Sequence, residues 1–448
     1  MNAKPLFNTT EPVIGIRAVH LDLKGLPPTP TRLIRLLDLF KLARYNAVLV
    51  EWEDTFPWKT DRRFRGETCY SEETIAAFHA HAAELGINVI PLVQCLGHME
   101  IPLQIDDYAK LREVPDRTDG LNPLAPGAID LVRSMIDDVL EPTTPTPRFF
   151  HIGGDEAMLF GTHPDTKAYI EEHGKAALYL KHIEPLLDHL IKKGIRPILW
   201  HDMMIEWPEE ALTRLSAKAD LMIWGYQETP YNTQGHYSID VVKRMATAHG
   251  ALWGAGAFKC GESGGDNLPP ADEREANILG WVRAADEFKM KGVCATGWSR
   301  NSSSTPQYAP LDVCLDLILQ TGIILHDGKP HSGGLEACAE ALDAFGGERD
   351  SFKERRDAMA HFEATCNAAW EAVRGFRHYL ANLEEDPTRC ESGHAKPLLA
   401  GIKIHQNRIE KAGKELLSHF KGLVDDAWIE RLVKSQAVAI AHEYEDLK

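Results

Sequence analysis

The chain is short of positive charge. Its 49 Lys and Arg stand against 66 Asp and Glu, a formal net charge of −17 over 448 residues. A field of that sign repels phosphate backbones and anionic lipid, which argues against nucleic acid and membrane surfaces as partners. Long apolar runs are missing too, since no window approaches the ~20 residues of a membrane span. The start, MNAKPLFNTTEPV, lacks the basic stretch and apolar run of a secretory signal. Eight cysteines, at 69, 95, 260, 294, 314, 338, 366 and 390, include no CxxC pair. Scattered thiols suit reduced, buried residues of a cytoplasmic protein, and not a disulfide scaffold or a zinc site. There is no repeat at a solenoid period and no low-complexity tract. What the chain does have is core material, with 44% hydrophobic residues.

That material is organised. Eight short apolar runs recur: VIGIRAVHL (13–21), NAVLVEW (46–52), NVIPLVQC (88–95), RFFHIGG (148–154), RPILWHD (196–202), LMIWGYQ (221–227), ALWGAGAF (251–258) and GVCATGW (292–298). Near-continuous apolar runs suit strands buried on both faces, as parallel sheets require. Between them lie amphipathic stretches such as TRLIRLLDLFKLARY and SEETIAAFHAHAAELG, with apolar residues three and four apart. Eight strands alternating with helices predict an α/β fold, a (β/α)8 TIM barrel over residues 1–330. A doubly wound nucleotide-binding sheet is the rival, but VHLDLKGLPP carries no GxGxxG after the first strand. From about 351 the pattern becomes three long helices with no strand-like run, so 331–448 is predicted as an all-helical C-terminal region. Its apolar stripes need a packing face, either on the barrel or on a second copy in a homodimer.

In such a barrel the site is built from the C-terminal ends of the strands. Eight of the ten tryptophans lie between residues 52 and 298, many at those ends. Aromatic walls grip the apolar faces of sugar rings, while carboxylates and arginines bond their hydroxyls. The fourth strand ends in Gly153-Gly154-Asp155-Glu156. Two neighbouring carboxylates in a crowded site push one pKa upward, towards general-acid use. Acids also favour helix N-termini, so spacing alone leaves the capping and the catalytic readings both open. A metal-dependent hydrolase built on His20, His98, His151 and His201 is a further rival. None of the four belongs to an HxH or HExxH.

HIGGDE (151–156), with LVEWEDTFPW (49–58), PLVQCLGH (91–98) and TGWSR (296–300), resembles the family 20 glycoside hydrolases, the β-N-acetylhexosaminidases. The likeness is nearest to their hexosaminidase D-like branch and covers roughly residues 13–325. It implies exo-acting, retaining, substrate-assisted hydrolysis of terminal N-acetylhexosamine glycosides, with no cofactor and no metal. Glu156 is then the acid–base, its pKa lifted towards neutrality. Asp155 orients the substrate's acetamido group, Tyr226 bonds its carbonyl, and Asp54 and His98 form a relay behind Glu156. Arg17 matches the arginine that holds the sugar's 3- and 4-hydroxyls, and Trp200, Trp224 and Trp298 are candidates for the box around acetamide and ring. Where many relatives carry Trp-x-Glu on the last strand, Trp298-Ser299-Arg300 has Arg, and GAFKCGE (256–262) replaces a Tyr-x-Asp segment. Both departures bear on gluco- versus galacto-preference, and the branch leans towards N-acetylgalactosamine. A catalytically silent sugar-binding barrel is the alternative, and it is expected to have lost one carboxylate of the pair.

Overall fold

The computed structural model describes residues 6–259, 267–300, 307–386, 388 and 392–448. Cys260, Cys390 and the end of GAFKCGE lie outside the described residues. The eight apolar runs form eight parallel strands that close into a barrel in chain order: β1 (Ile16–Asp22), β2 (Ala47–Glu51), β3 (Asn88–Leu92), β4 (Phe149–His151), β5 (Arg196–Trp200), β6 (Asp220–Trp224), β7 (Leu252–Lys259) and β8 (Gly292–Gly297). β1 pairs with both β2 and β8. Burial on both faces accounts for the composition. On β2, Ala47 and Leu49 point into the barrel, whereas Val48 and Val50 pack outward against the helices. The alternation that marks a half-exposed strand is therefore absent.

The two ends of the barrel differ. At the N-terminal end Asp220 accepts the Trp253 indole N–H (3.0 Å), Arg196 Nε (2.7 Å) and Lys291 Nζ (2.8 Å), a paired polar plug beneath the interior core. Arg17 belongs to this end, which corrects its expected role. It is the second residue of β1, and its guanidinium donates to the main-chain carbonyls of Arg44 (2.9 Å) and Ile14 (2.7 Å). Five residues of strand, about 16 Å, separate it from Asp22 at the catalytic end. It holds the barrel floor together and cannot reach a sugar at the mouth.

The helical region follows as expected, with helices at Arg349–Glu385, Ala395–Phe420 and Asp426–Asp446. The first buries Phe352, Arg355, Met359, Phe362, Cys366, Ala369, Val373 and Phe376, alternating steps of three and four. The second buries Ile402, Gln406, Ile409, Gly413, Leu416 and Phe420 in the same rhythm. A 3.5-residue apolar repeat of this kind lays antiparallel helices side by side in coiled-coil fashion. The region is tied to the barrel within the chain. Arg32 donates to Asp312 (2.8 Å) and to Glu348 (2.9 Å), and Arg355 also donates to Glu348 (2.9 Å). The turn between the last two helices lies against the β1 and β2 loops. There Thr29 N–H donates to Leu423 O (2.8 Å) and the Trp428 indole to Thr68 Oγ1 (2.9 Å). No helix among the described residues is long and apolar enough to cross a membrane.

Candidate active site

After β4 the chain turns through Gly153 (φ 60°) and Gly154 (φ 85°) before presenting Asp155 and Glu156. Both glycines are required. A β-carbon at 153 would lie 1.8 Å from Gln94 Oε1, and one at 154 would lie 2.2 Å from the Tyr179 hydroxyl, which donates to Gly154 O at 2.7 Å. The β3 loop seats against this turn because Gly97 also lacks a side chain, a β-carbon there falling 2.1 Å from Asp155 O. His98, itself at φ 53°, then places Nε2 3.2 Å from Glu156 Oε2 and 3.5 Å from Asp155 Oδ2.

The charges in this cluster run opposite to the expectation that crowding lifts Glu156. Burial disfavours a charged imidazole at His98, but Asp155 and Glu156 outweigh it and hold the ring well above its ordinary pKa. The hydrogen bond from His98 in turn draws Glu156 below the usual carboxylate range, against its partial burial. The free site therefore holds an imidazolium between two carboxylates. A carboxyl that rises beside the pair is Asp202, two residues past β5, pushed up to about 7 by burial and then by the charge of Asp155. Asp202 Oδ2 accepts the main-chain N–H of Glu156 (2.9 Å) and Oδ1 the Trp224 indole N–H (3.1 Å).

Asp54 stands elsewhere. Its carboxylate lies against Gly66, its main-chain oxygen accepts the Gly66 N–H (2.7 Å), and Arg300 is the charge that acts on it most. No ion pair joins it to His98, so only the His98–Glu156 half of the expected relay is formed. The carboxyl on the β3 side is Glu53, two residues past β2 and at φ 51°. There it shares a small cavity with His98, Gln94, Trp58 and Met99. Burial, opposed by Lys24, holds Glu53 well above the ordinary carboxyl range.

Three of the expected tryptophans and Tyr226 do come together. Trp224 and Tyr226 stack at 5.3 Å, Tyr226 lies 6.1 Å from Trp298, and Trp298 lies 6.4 Å from Trp200. The tyrosine is buried, and burial and then the charge of Asp155 keep its hydroxyl protonated. Trp52, Trp207, Trp253 and Trp281 are core. Arg300 is half-buried at the rim among Asp54, Asp22 and Glu53. The cation on β1's catalytic side is Lys24, which the strand-end reading passed over. Its Nζ is 3.0 Å from Glu51, 3.3 Å from Asp22 and 5.3 Å from the Trp298 ring centre. Asp155 Oδ1, Gln94 Oε1 and Trp200 Nε1 are buried without a hydrogen-bond partner among the described residues. Unpaired buried polar atoms at the mouth are free to bond a ligand or ordered water.

Among the described residues, the group with metal-ligand geometry is His98, Asp155 and Glu156, whose ligating atoms lie within 4.8 Å of one another. The other three histidines of the metal reading do not converge on it. His20 faces Glu51 (3.6 Å), His151 Nδ1 accepts the Gly153 N–H (3.0 Å), and His201 Nε2 bonds His236 O (2.8 Å). Burial lowers the last two to about 3, leaving them neutral.

The description "Glycosyl hydrolase family 20, catalytic domain" fits residues 42–246. Hexosaminidase D of Bos taurus is 33% identical over 296 residues, covering 64% of this chain and 84% of that protein. Hexosaminidase D of Homo sapiens is 31% identical over 325 residues, covering 68% and 66%. The fold is shared with a solved chitobiase of Flavobacterium johnsoniae (TM-score 0.59, 15% identity, 96% of this chain and 72% of that one). It is shared also with a β-N-acetylhexosaminidase of Bacteroides fragilis (TM-score 0.55, 16% identity, 76% and 72%). A barrel whose mouth joins a carboxylate pair to aromatic walls, in a chain with these relatives, is a glycoside hydrolase. It belongs to family 20, in the hexosaminidase D-like branch.

Proposed function

We propose that the chain is an exo-acting, retaining β-N-acetylhexosaminidase that works by substrate assistance. The observation that carries this is the closeness of the two carboxylates. Oxygens of Asp155 and Glu156 lie within 4.8 Å of each other and share His98. Inverting enzymes separate their carboxyl groups by roughly 6.5–9.5 Å, and retaining enzymes with a protein nucleophile by roughly 5–5.5 Å on opposite faces of the sugar. Adjacent carboxylates that share one histidine stand on one side of the site, which favours a nucleophile brought by the substrate.

In this reading Glu156 gives its proton to the glycosidic oxygen as the C1–O bond breaks, and the carbonyl oxygen of the 2-acetamido group bonds C1. Water then attacks C1 and returns a proton to Glu156. The proton needed for the first step resides on His98, 3.2 Å from Glu156, and passes forward when substrate excludes water from the half-exposed glutamate. Asp155 Oδ1 accepts the acetamido N–H and balances its developing charge, while the Tyr226 hydroxyl donates to the carbonyl. Trp200, Trp224 and Trp298 enclose the acetamide and ring. Lys24, in place of Arg17, is positioned for ring hydroxyls, and Arg300 stands where the 4-hydroxyl epimers are told apart. The free state of the six described cysteines supports a cytoplasmic setting.

The test is the initial rate of nitrophenol release from β-N-acetylgalactosaminide and its gluco epimer near neutral pH. Hydrolysis of either supports the class, and the ratio reports how the Arg300 region reads the 4-hydroxyl. No release from either, by protein shown to be folded, would overturn the proposal in favour of a silent sugar-binding barrel.

A further inference from the structure

Glu156 is held in an unusual way. Its φ of 44° is a left-handed conformation that side-chain-bearing residues adopt at a cost, and residues 152–156 belong to neither strand nor helix. Something outside the segment must hold the backbone there. The main-chain N–H of Glu156 donates to Asp202 Oδ2 at 2.9 Å. The second oxygen of the same carboxylate accepts the Trp224 indole N–H at 3.1 Å, from the last residue of β6. One side chain at the end of β5 therefore joins the acid–base segment after β4 to the aromatic wall on β6. Among the described residues no ion pair holds it. Asp155 and Glu156 face it from the β4 turn, and the neutral His201 precedes it in the chain. From the β6 loop His236 lies over the Trp224 ring at 4.1 Å. Tyr179 closes the far side, its hydroxyl bound to Gly154 O. A carboxylate kept among carboxylates is costly to the fold, and its two N–H donors are what it does there.

We propose that Asp202 is the positioning residue of this site: it fixes the Glu156 backbone and the Trp224 indole with one carboxylate, so that the acid is aimed at the glycosidic oxygen of a sugar resting on Trp224. The inference rests on the proposed hexosaminidase reading. It adds a residue that touches neither sugar nor leaving group and acts through two that do. Asparagine at this position keeps size and shape but turns an NH2 towards one of the two donors, so one bond becomes a donor–donor clash.

The experiment compares kcat/KM of wild type and D202N on two β-N-acetylhexosaminides. One carries dinitrophenol, which departs without a proton; the other carries phenol, which needs one. Misplacing the acid harms the second alone. The expected result is a loss on the order of 100-fold on the phenyl glycoside and under about 5-fold on the dinitrophenyl one. The companion variant Trp224→Phe removes the wall's bond and is expected to lose equally on both. Equal losses of D202N on the two substrates, or no loss on either, overturn the proposal. If D202N does not melt cooperatively, D202S takes its place with the same two outcomes. A wild type inactive on both glycosides removes the hexosaminidase reading and this inference together, whereas an active wild type with an unaltered variant removes the inference alone.

Discussion

Replacing His98 by Asn tests where the working proton resides. In the free site the proton of the His98–Glu156 pair sits on the imidazole, which the two carboxylates hold well above its ordinary value of 6.5 despite burial. The pair as a unit loses that proton only at the imidazole's raised value, so the alkaline limb of kcat/KM for wild type belongs above 6.5. Without the imidazole the proton must be carried by Glu156 alone. Its ordinary value is 4.5, and loss of the His98 hydrogen bond removes the influence that lowers it, leaving burial to raise it modestly. The two ordinary values, 6.5 and 4.5, are two units apart. The alkaline limb of H98N therefore falls by about 2 units or more, and at pH 7, more than about 2 units above that limb, the variant is about 100-fold slower than wild type, a unit of pH being a factor of ten. Near pH 5, where Glu156 still holds its proton, the deficit shrinks to a few-fold. The assay is a pH series of kcat/KM on the phenyl glycoside, with thermal melting at each pH to establish folding. A deficit of the same size at every pH, or an alkaline limb that stays where wild type has it, refutes the shared proton.

Three other outcomes are expected. Glu156→Gln keeps the fold but lowers kcat/KM on phenyl glycosides by roughly 100- to 10,000-fold, measured by initial rates beside a melting curve. Gly154→Ala combines a left-handed backbone penalty of about 1–2 kcal/mol with loss of the Tyr179 hydrogen bond, about 1 kcal/mol, and overpacking of 1–3 kcal/mol. Urea unfolding should show a loss of about 3–6 kcal/mol, and an unchanged midpoint would contradict the 2.2 Å approach to Tyr179. Arg17→Gln is expected to lower Tm while leaving KM within about 2-fold, whereas Lys24→Gln raises KM by roughly 10-fold or more, the scale of a charged hydrogen bond. The reverse pattern would return the sugar-binding role to Arg17.

Much of the architecture was legible before any coordinates. Every one of the eight apolar runs is a strand, because a barrel strand buried on both faces needs apolar residues at successive positions. The long helices were equally plain, since steps of three and four apolar residues persist along Arg349–Glu385 without a proline. The Gly153-Gly154-Asp155-Glu156 turn marked itself: two left-handed residues between a buried strand and two carboxylates leave little choice but glycine. The tryptophans were harder to sort. Trp224 and Trp298 reach the mouth half-buried, Trp200 lies fully buried beneath them at the end of β5, and Trp253, also in an apolar run, fills the barrel floor beside Asp220.

Composition and local spacing by themselves determined a parallel barrel, a helical extension, and an acid pair at the end of the fourth strand, because each depends on the side chains of one contiguous segment. Tertiary structure alone decided the rest. It placed Arg17 at the closed end and Lys24 at the open one, a matter of where β1 enters the sheet against β8. It brought Glu53, and not Asp54, into the small cavity that His98 lines. It also reversed the expected protonation, drawing Glu156 down and pushing Asp202 up, because a pKa is set by charges and burial contributed from other strands. Asp155, His98 and Asp202 lie on three different loops, 57 and 47 residues either side of the acid pair. Their electrostatics exist only once the barrel has closed and brought the ends of β3, β4 and β5 together.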